Sequence, residues 1–217
     1  MILNPLHKKL LISSLFAISM AYLESAVVVY LRLNYYPEGF SFPLVEVPIN
    51  IILTEIGREA ATLVMLWAFA KLVSKNSREV FAYFAFNFGI WDIWYYIWLK
   101  VLLNWPASIM DWDVLFLIPL PWVGPILAPV IVSMALILTS YIILKSESID
   151  KPIKMTKRDW ILESTAGLII ICSFFTQLNV LESGNVPGNY PWWLFLCGFI
   201  LGIIVFGNRI LETNKAS

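Results

Sequence analysis

Residues Gly89–Lys100 of this 217-residue chain read GIWDIWYYIWLK, which places one carboxylate, Asp92, inside an apolar and aromatic run. Hydrophobic residues make up 59% of the sequence and charged residues 14%, against about 25% charged residues in soluble domains. A soluble protein of this length could not bury so much apolar surface. The composition therefore predicts an integral membrane protein.

Six segments of the sequence are apolar over about 20 residues, the length that a helix needs to cross a bilayer. They are Leu10–Leu33, Val47–Leu72, Val80–Leu103, Ile126–Leu144, Trp160–Leu181 and Trp192–Ile210. The first segment follows two lysines, as a signal peptide does, but its apolar character continues to Val29 and favours a retained helix. We expect an all-α bundle of six transmembrane helices that forms one domain over residues 1–217.

The lysine and arginine residues predict the orientation of the spans, because cytoplasmic connections carry an excess of both. Twelve of the fifteen lie in or next to the terminal segments and the connections after the second and fourth spans. Arg32 and Lys100 lie at the other side, and Arg58 falls within a span. The sequence therefore predicts a multi-pass protein of the cell (inner) membrane with both termini in the cytoplasm.

Composition also argues against several kinds of site. With His7 as its single histidine, the chain lacks the ligands for bis-histidine haem, for histidine-rich di-iron centres and for the histidine motifs of prenyl-proteases and desaturases. Cys172 and Cys197 lie in apolar runs and form no CxxC pair, so neither a disulfide framework nor a zinc site is indicated. Fifteen basic and fifteen acidic residues leave no net charge, and no nucleic-acid partner is expected.

The segment Asp111–Pro125, between the third and fourth spans, is apolar but interrupted by Pro119, Pro121 and Pro125. Proline removes a backbone donor and disfavours helix at the preceding residue. We predict a short helix capped by Ser108 or Asp111, followed by a proline-broken turn. The segment lies on the outer face as an interfacial helix or dips into the membrane as a re-entrant segment.

Away from the span ends, the first three predicted spans contain four acids and one arginine, and each charge there costs at least about 2.5–3.5 kcal/mol. They are Glu24, Glu55, Arg58, Glu59 and Asp92. At about 1.5 Å per residue, alternating helices bring all of the acids to one level in the middle to outer half of the bilayer. One arginine does not balance them, so we expect protonated carboxyls or a bound cation. An ion-paired lock between the helices is the structural alternative.

These residues predict one polar site inside the bundle. The candidate catalytic residues are Asp92, Glu55, Glu59, Glu24 and Tyr96, of which Tyr96 is expected to donate a hydrogen bond. The candidate substrate-binding residues are Arg58, Lys100, Trp91, Tyr95, Asp111 and Asp113. The two aspartates of the Asp-Trp-Asp motif could hold Mg²⁺ on phosphate oxygens, with helix capping as the alternative. No other cofactor is evident in the sequence.

The strings WDIWYYIWLK and FLIPLPWVGP together resemble an uncharacterised group of prokaryotic multi-pass membrane proteins. The resemblance covers the chain from Glu55 to Pro129 and implies no activity.

Buried carboxyls beside many aromatic rings are typical of acid–base chemistry through cationic intermediates. The sequence therefore favours an intramembrane isomerase, cyclase or hydratase that acts on an isoprenoid, sterol-like or other lipid-soluble substrate. A proton- or cation-coupled transporter and a non-catalytic lipid-binding or assembly subunit are the alternatives. Membrane lipids and a lipid-soluble small molecule are the expected partners, together with further copies of the chain in a homo-oligomer.

Overall fold

The computed structural model describes residues 4–178 and 185–215, which form six helices and one two-stranded antiparallel sheet. The helices are α1 (Pro5–Tyr35), α2 (Ile49–Val73), α3 (Ser77–Leu103), α4 (Leu127–Ser148), α5 (Lys157–Phe175) and α6 (Trp192–Lys215). The strands β1 (Trp112–Phe116) and β2 (Trp122–Pro125) form a hairpin between α3 and α4. Each predicted apolar segment overlaps one of these helices, so the helical fold class is confirmed. Residues 179–181 of the fifth predicted span lie outside the described residues.

Local capping signals explain where several helices begin and end. The Asn4 side chain accepts the Leu6 N–H at 3.0 Å and starts α1. Thr156 and Asp159 form a reciprocal capping box at the start of α5. Asn104 ends α3 in the left-handed conformation, with a φ of 53°.

Three of the described helices are long and apolar enough to cross a membrane: Pro5–Tyr35, Leu127–Ser148 and Trp192–Thr213. All six predicted spans therefore correspond to helices, but only three of these helices are apolar enough to qualify as membrane spans. The others carry more polar residues, such as Arg58 and Glu59 in α2 and Asp92 in α3.

Helix α3 lies at the centre of the first half of the fold, where it packs against α1, α2 and α4. Helices α5 and α6 form a second pair that contacts β2. Glycines allow close approaches in both halves: a Cβ on Gly89 of α3 would lie 2.6 Å from the Ser133 carbonyl oxygen of α4. A Cβ on Gly198 of α6 would lie 2.7 Å from the Ala166 carbonyl oxygen of α5. Small residues at these crossings let the backbones meet.

The bundle has two different ends. At the hairpin end, Asp113 of β1 pairs with Arg32 near the end of α1, and Trp122 of β2 stacks on Phe174 near the end of α5. At the opposite end, a packed apolar core joins the start of α1 to α2, α3 and α4. Its buried members are Leu6, Leu10, Ala70, Ala82, Tyr83, Phe86 and Leu144.

The helix predicted at the start of the Asp111–Pro125 segment is wrong, because the chain forms the β1–β2 hairpin there. Aromatic and β-branched residues favour strands, and the two prolines at 119 and 121 lie in the turn. Asp111 Oδ2 accepts the N–H groups of Ala107 and Ser108 at 2.8 and 3.1 Å. Asp111 and Ser108 therefore stabilise a turn and cap no helix.

The hairpin contains a β-bulge. Val114 lies opposite Val123, and Phe116 lies opposite Trp122, so Leu115 is an extra residue on β1. A bulge bends its strand and redirects the groups that follow it. Beyond the bulge, the backbone N–H of Leu117 lies outside the β1–β2 ladder and donates to the Glu59 side chain of α2.

Candidate functional site

A cavity of about 330 Å³ lies at the hairpin end among α1, α2, α3, β1 and the connection between α1 and α2. The polar residues of its lining include Arg32, Glu55, Arg58, Glu59, Asp92, Tyr95, Tyr96 and Asp113. The apolar residues of its lining include Val28, Leu31, Phe40, Leu44, Val47, Ile51 and Ile52. The cavity can therefore hold a molecule that has a polar end and an apolar body.

Arg58 of α2 is the centre of a charge cluster between α1 and α2. Its Nη2 and Nε atoms lie 2.7 and 2.9 Å from Glu55 Oε2, one helical turn away. Its Nη1 atom pairs with the buried Glu24 carboxylate of α1, and Thr62 donates to the other oxygen of that carboxylate. Two carboxylates thus occupy the single guanidinium.

Arg32 and Asp113 form a second buried ion pair, with 2.9 Å between Nη2 and Oδ1. The Arg32 guanidinium carbon lies 3.7 Å from the ring centroid of Trp105 and 4.2 Å from that of Phe40. These ring faces stabilise the guanidinium charge away from water. Burial raises the pKa of Asp113 to about 6, against the opposing effects of Arg32, a backbone N–H and the Tyr96 hydroxyl.

Glu59 and Asp92 differ from the other acids of the cavity because neither takes part in any ion pair of the described residues. Glu59 Oε2 accepts the Leu117 N–H at 2.8 Å, and Asp92 Oδ2 accepts the Ser133 hydroxyl at 2.8 Å. Both side chains line the cavity. Each is positioned by one neutral donor, so these two carboxyls are the ones left to exchange protons with a bound molecule.

Eight of the eleven predicted site residues line the cavity: Glu55, Arg58, Glu59, Trp91, Asp92, Tyr95, Tyr96 and Asp113. Glu24 lies behind Arg58, which it neutralises. The structure does not bring Lys100 and Asp111 into the cavity. Lys100 Nζ donates to the carbonyl oxygens of Asn104 and Pro106 at 3.3 and 2.9 Å, beyond the end of α3.

The hydrogen-bond donor to Asp92 is the Ser133 hydroxyl, and Tyr96 lies beside Asp113. In the Asp-Trp-Asp motif, Asp113 pairs with Arg32, and Asp111 accepts backbone N–H groups. Within residues 4–178 and 185–215, no three His, Cys, Asp or Glu side chains form a group that could hold a metal ion.

Two groups at the site are not predicted by the sequence analysis, Arg32 and Ser133. In the sequence Arg32 counts only as a charge at the outer side, although its spacing of four from Val28 and eight from Glu24 places all three on one helical face. That spacing is a signal that could have identified it. Ser133 gives no comparable signal, because serines within helices commonly bond to their own backbone.

No protein-family model, curated protein or solved structure matches this chain. Function is therefore argued from the chemistry of the cavity.

Proposed function

We propose that this chain is a multi-pass enzyme of the cell membrane that transfers protons to and from a lipid-soluble substrate in the cavity at the hairpin end. The observation that carries the proposal is the pair Glu59 and Asp92, two carboxyls without an ion pair that line one cavity. Isoprenoid or sterol-like molecules are the substrate class that we expect.

Two such carboxyls can act as a general acid and a general base when one is protonated and the other ionised. In a double-bond isomerisation, the acid gives its proton to one alkene carbon, and the carboxylate removes a proton from a carbon next to the resulting cation. Atoms and electrons balance without an oxidant or a second reactant. The ring faces of Trp91 and Tyr95, which line the same cavity, would stabilise the cation.

The apolar part of the wall suggests how a lipid-soluble substrate would enter. Helices α1 and α2 pack mainly on α3 and contact each other at few positions. Leu31 of α1 and Ile51 and Ile52 of α2 line the cavity along this junction. The outward-facing Tyr30 and Leu53 of the same helices are exposed, as expected for helices in contact with lipid.

The distribution of basic residues supports the proposed orientation. The bundle end opposite the hairpin carries the twelve lysines and arginines of the terminal segments and of the α2–α3 and α4–α5 connections. At the hairpin end, Arg32 is neutralised by Asp113, and Lys100 is held by two carbonyl oxygens. This asymmetry favours a cytoplasmic location for both termini and an outer location for the hairpin.

A one-sided cavity favours an enzyme over a carrier. The buried core around Tyr83 and Leu144 fills the bundle toward the opposite end. A carrier with alternating access needs a path to both faces around a central site. Catalysis on a molecule that enters and leaves through the same side needs only one opening.

The test is mass spectrometry of the small molecules that co-purify with the wild type, with Asp92→Asn and with Glu59→Gln. We expect a specific lipid on the wild type and its unreacted precursor on both variants. Glu163→Gln is the matched control, because Glu163 lies on α5 and does not line the cavity. The control should carry the same lipid as the wild type.

Two other results would contradict the proposal. The same bulk phospholipid on all four proteins would mean that the cavity has no specific substrate. One specific lipid in the same chemical form on all four would indicate a lipid-binding protein without catalysis.

A further inference from the structure

Two residues that line the cavity each carry a buried N–H group without an acceptor. Arg32 Nη1 and Trp91 Nε1 are shielded from solvent and have no hydrogen-bond partner among the residues that the structure describes. Both residues are 7% exposed, and both line the cavity. Buried donors are normally satisfied, so a ligand that presents oxygen acceptors gains affinity here.

The charges around these donors limit the kind of acceptor. Asp113 already pairs with Arg32, and Glu24 and Glu55 already pair with Arg58. A phosphate or carboxylate head group would add negative charge beside guanidiniums that are already neutralised and beside two further carboxyls. Like charges at short range in a buried site repel strongly.

A cationic head group meets a different obstacle. An ammonium group would be attracted to Glu59 and Asp92, but it carries donors and no acceptor. It would therefore leave Arg32 Nη1 and Trp91 Nε1 unsatisfied. An uncharged oxygen accepts from these N–H groups without adding charge, and a hydroxyl can also donate to one of the free carboxyls.

We propose that the cavity selects a lipid with an uncharged oxygen head group, a hydroxyl or a carbonyl, over lipids with phosphate or ammonium heads. This inference deepens the proposed function, on which it rests, by naming the head group of the substrate. The oxygen lies at the polar wall, and the apolar chain follows the α1–α2 junction, where Leu31 and Ile51 line the cavity.

The experiment measures binding to the full-length protein in nanodiscs by native mass spectrometry. The probes share one 20-carbon prenyl chain and end in an alcohol, an aldehyde, an amine, a monophosphate or no head group. We expect the alcohol and the aldehyde to bind about 10-fold or more tightly than the other three, as two hydrogen bonds would give. Tightest binding of the amine or the monophosphate would overturn the inference.

A variant tests the donors directly. Trp91→Phe keeps an aromatic ring and removes the indole N–H. It should therefore weaken the binding of the alcohol and the aldehyde about 3- to 10-fold, the contribution of one hydrogen bond. It should leave the affinity for the headless hydrocarbon unchanged. Trp193→Phe is the control, because Trp193 is 70% exposed on α6 and does not line the cavity. Equal weakening of all five probes by Trp91→Phe would contradict a role for its N–H.

The probe ranking on the wild type decides the question even when Trp91→Phe does not fold. The ranking is also separate from catalysis. A failed lipid-conversion experiment with a correct probe ranking on the wild type overturns the proposed catalysis alone. A wrong ranking together with successful lipid conversion overturns only the inference about the head group.

Discussion

Arg32 Nη2 lies 2.9 Å from Asp113 Oδ1 across a sequence separation of 81 residues. The pair joins the last turns of α1 to strand β1, and both partners line the cavity. Neither side chain is accessible enough for water to replace the other, since their exposed fractions are 8% and 2%. The position of the hairpin over the cavity is therefore tied to an ion pair.

Arg32→Gln should destabilise the fold by about 3–5 kcal/mol, because it leaves the Asp113 carboxylate buried without its partner. The double variant Arg32→Gln/Asp113→Asn should recover part of that loss, since it removes both charges. Denaturant unfolding in detergent of both single variants and the double variant completes the thermodynamic cycle. A single variant within about 0.5 kcal/mol of the wild type would show that the pair is not buried as described.

Glu59→Gln should keep the fold and lose the reaction. A glutamine retains an oxygen that accepts the Leu117 N–H, which lies 2.8 Å from Glu59 Oε2. It cannot exchange a proton at neutral pH, so the rate of substrate conversion should fall about 10²- to 10⁴-fold. The measurements are lipid turnover followed by mass spectrometry and thermal unfolding of the same preparations. An unchanged rate would remove Glu59 from the chemistry.

Gly89→Ala should destabilise the α3–α4 contact by about 1–3 kcal/mol, as overpacking does. Its Cβ would meet the Ser133 carbonyl oxygen at 2.6 Å and Ile137 Cγ1 at 2.9 Å. Gly57→Ala is the matched control, because a Cβ on Gly57 has no atom within 4 Å and a helical alanine is favoured by up to about 1 kcal/mol. The melting temperature should fall for Gly89→Ala and rise for Gly57→Ala. Movement in the same direction would argue against the close crossing of α3 and α4.

The link between Asp159 and Arg209 at the bundle end opposite the hairpin should make the fold sensitive to acid. Hydrogen bonds from Thr156, together with Arg209, hold the pKa of Asp159 below its ordinary value of 3.8. A carboxyl with a lowered pKa in the fold stabilises it above the unfolded-state pKa, and this stabilisation is lost as the pH falls through the folded-state pKa.

Asp159→Asn should therefore flatten the lower end of the melting-temperature profile between about pH 5 and pH 2. The exposed Asp150, changed to asparagine, serves as the control and should leave the profile of the wild type unchanged. Identical profiles for the wild type and Asp159→Asn would contradict the prediction.

Cysteine labelling in whole cells tests the proposed orientation. With Cys172 and Cys197 replaced by alanine, Ser41→Cys in the α1–α2 connection should react with an impermeant maleimide. Lys154→Cys in the α4–α5 connection should react only after the cells are opened. Both positions are exposed, so a failure to label reflects the side of the membrane. The reverse pattern would invert the proposed topology.

The helices could be predicted because long apolar runs leave few alternatives, and the common level of Glu24, Glu55 and Arg58 follows from helix geometry. The hairpin could not. Its two strands are short, and their apolar residues suit a buried helix as well as a strand, so periodicity does not separate the two. Three prolines excluded a continuous helix but did not specify what replaces it.

The partners of the site residues were harder to predict than the residues themselves. Asp92 and Glu59 stand out in the sequence because a charge in an apolar run is costly. Their donors, the Ser133 hydroxyl and the Leu117 N–H, lie on segments far along the chain and belong to common groups. Such contacts depend on how the segments pack, and no local pattern records them.

The bond between Glu59 and the Leu117 N–H also has an evolutionary consequence. Every amino acid except proline supplies a backbone N–H, so the donor at position 117 persists through any substitution except proline. The contact therefore constrains the residue type at position 59 and not at position 117. In a diverging lineage it would leave no covarying pair.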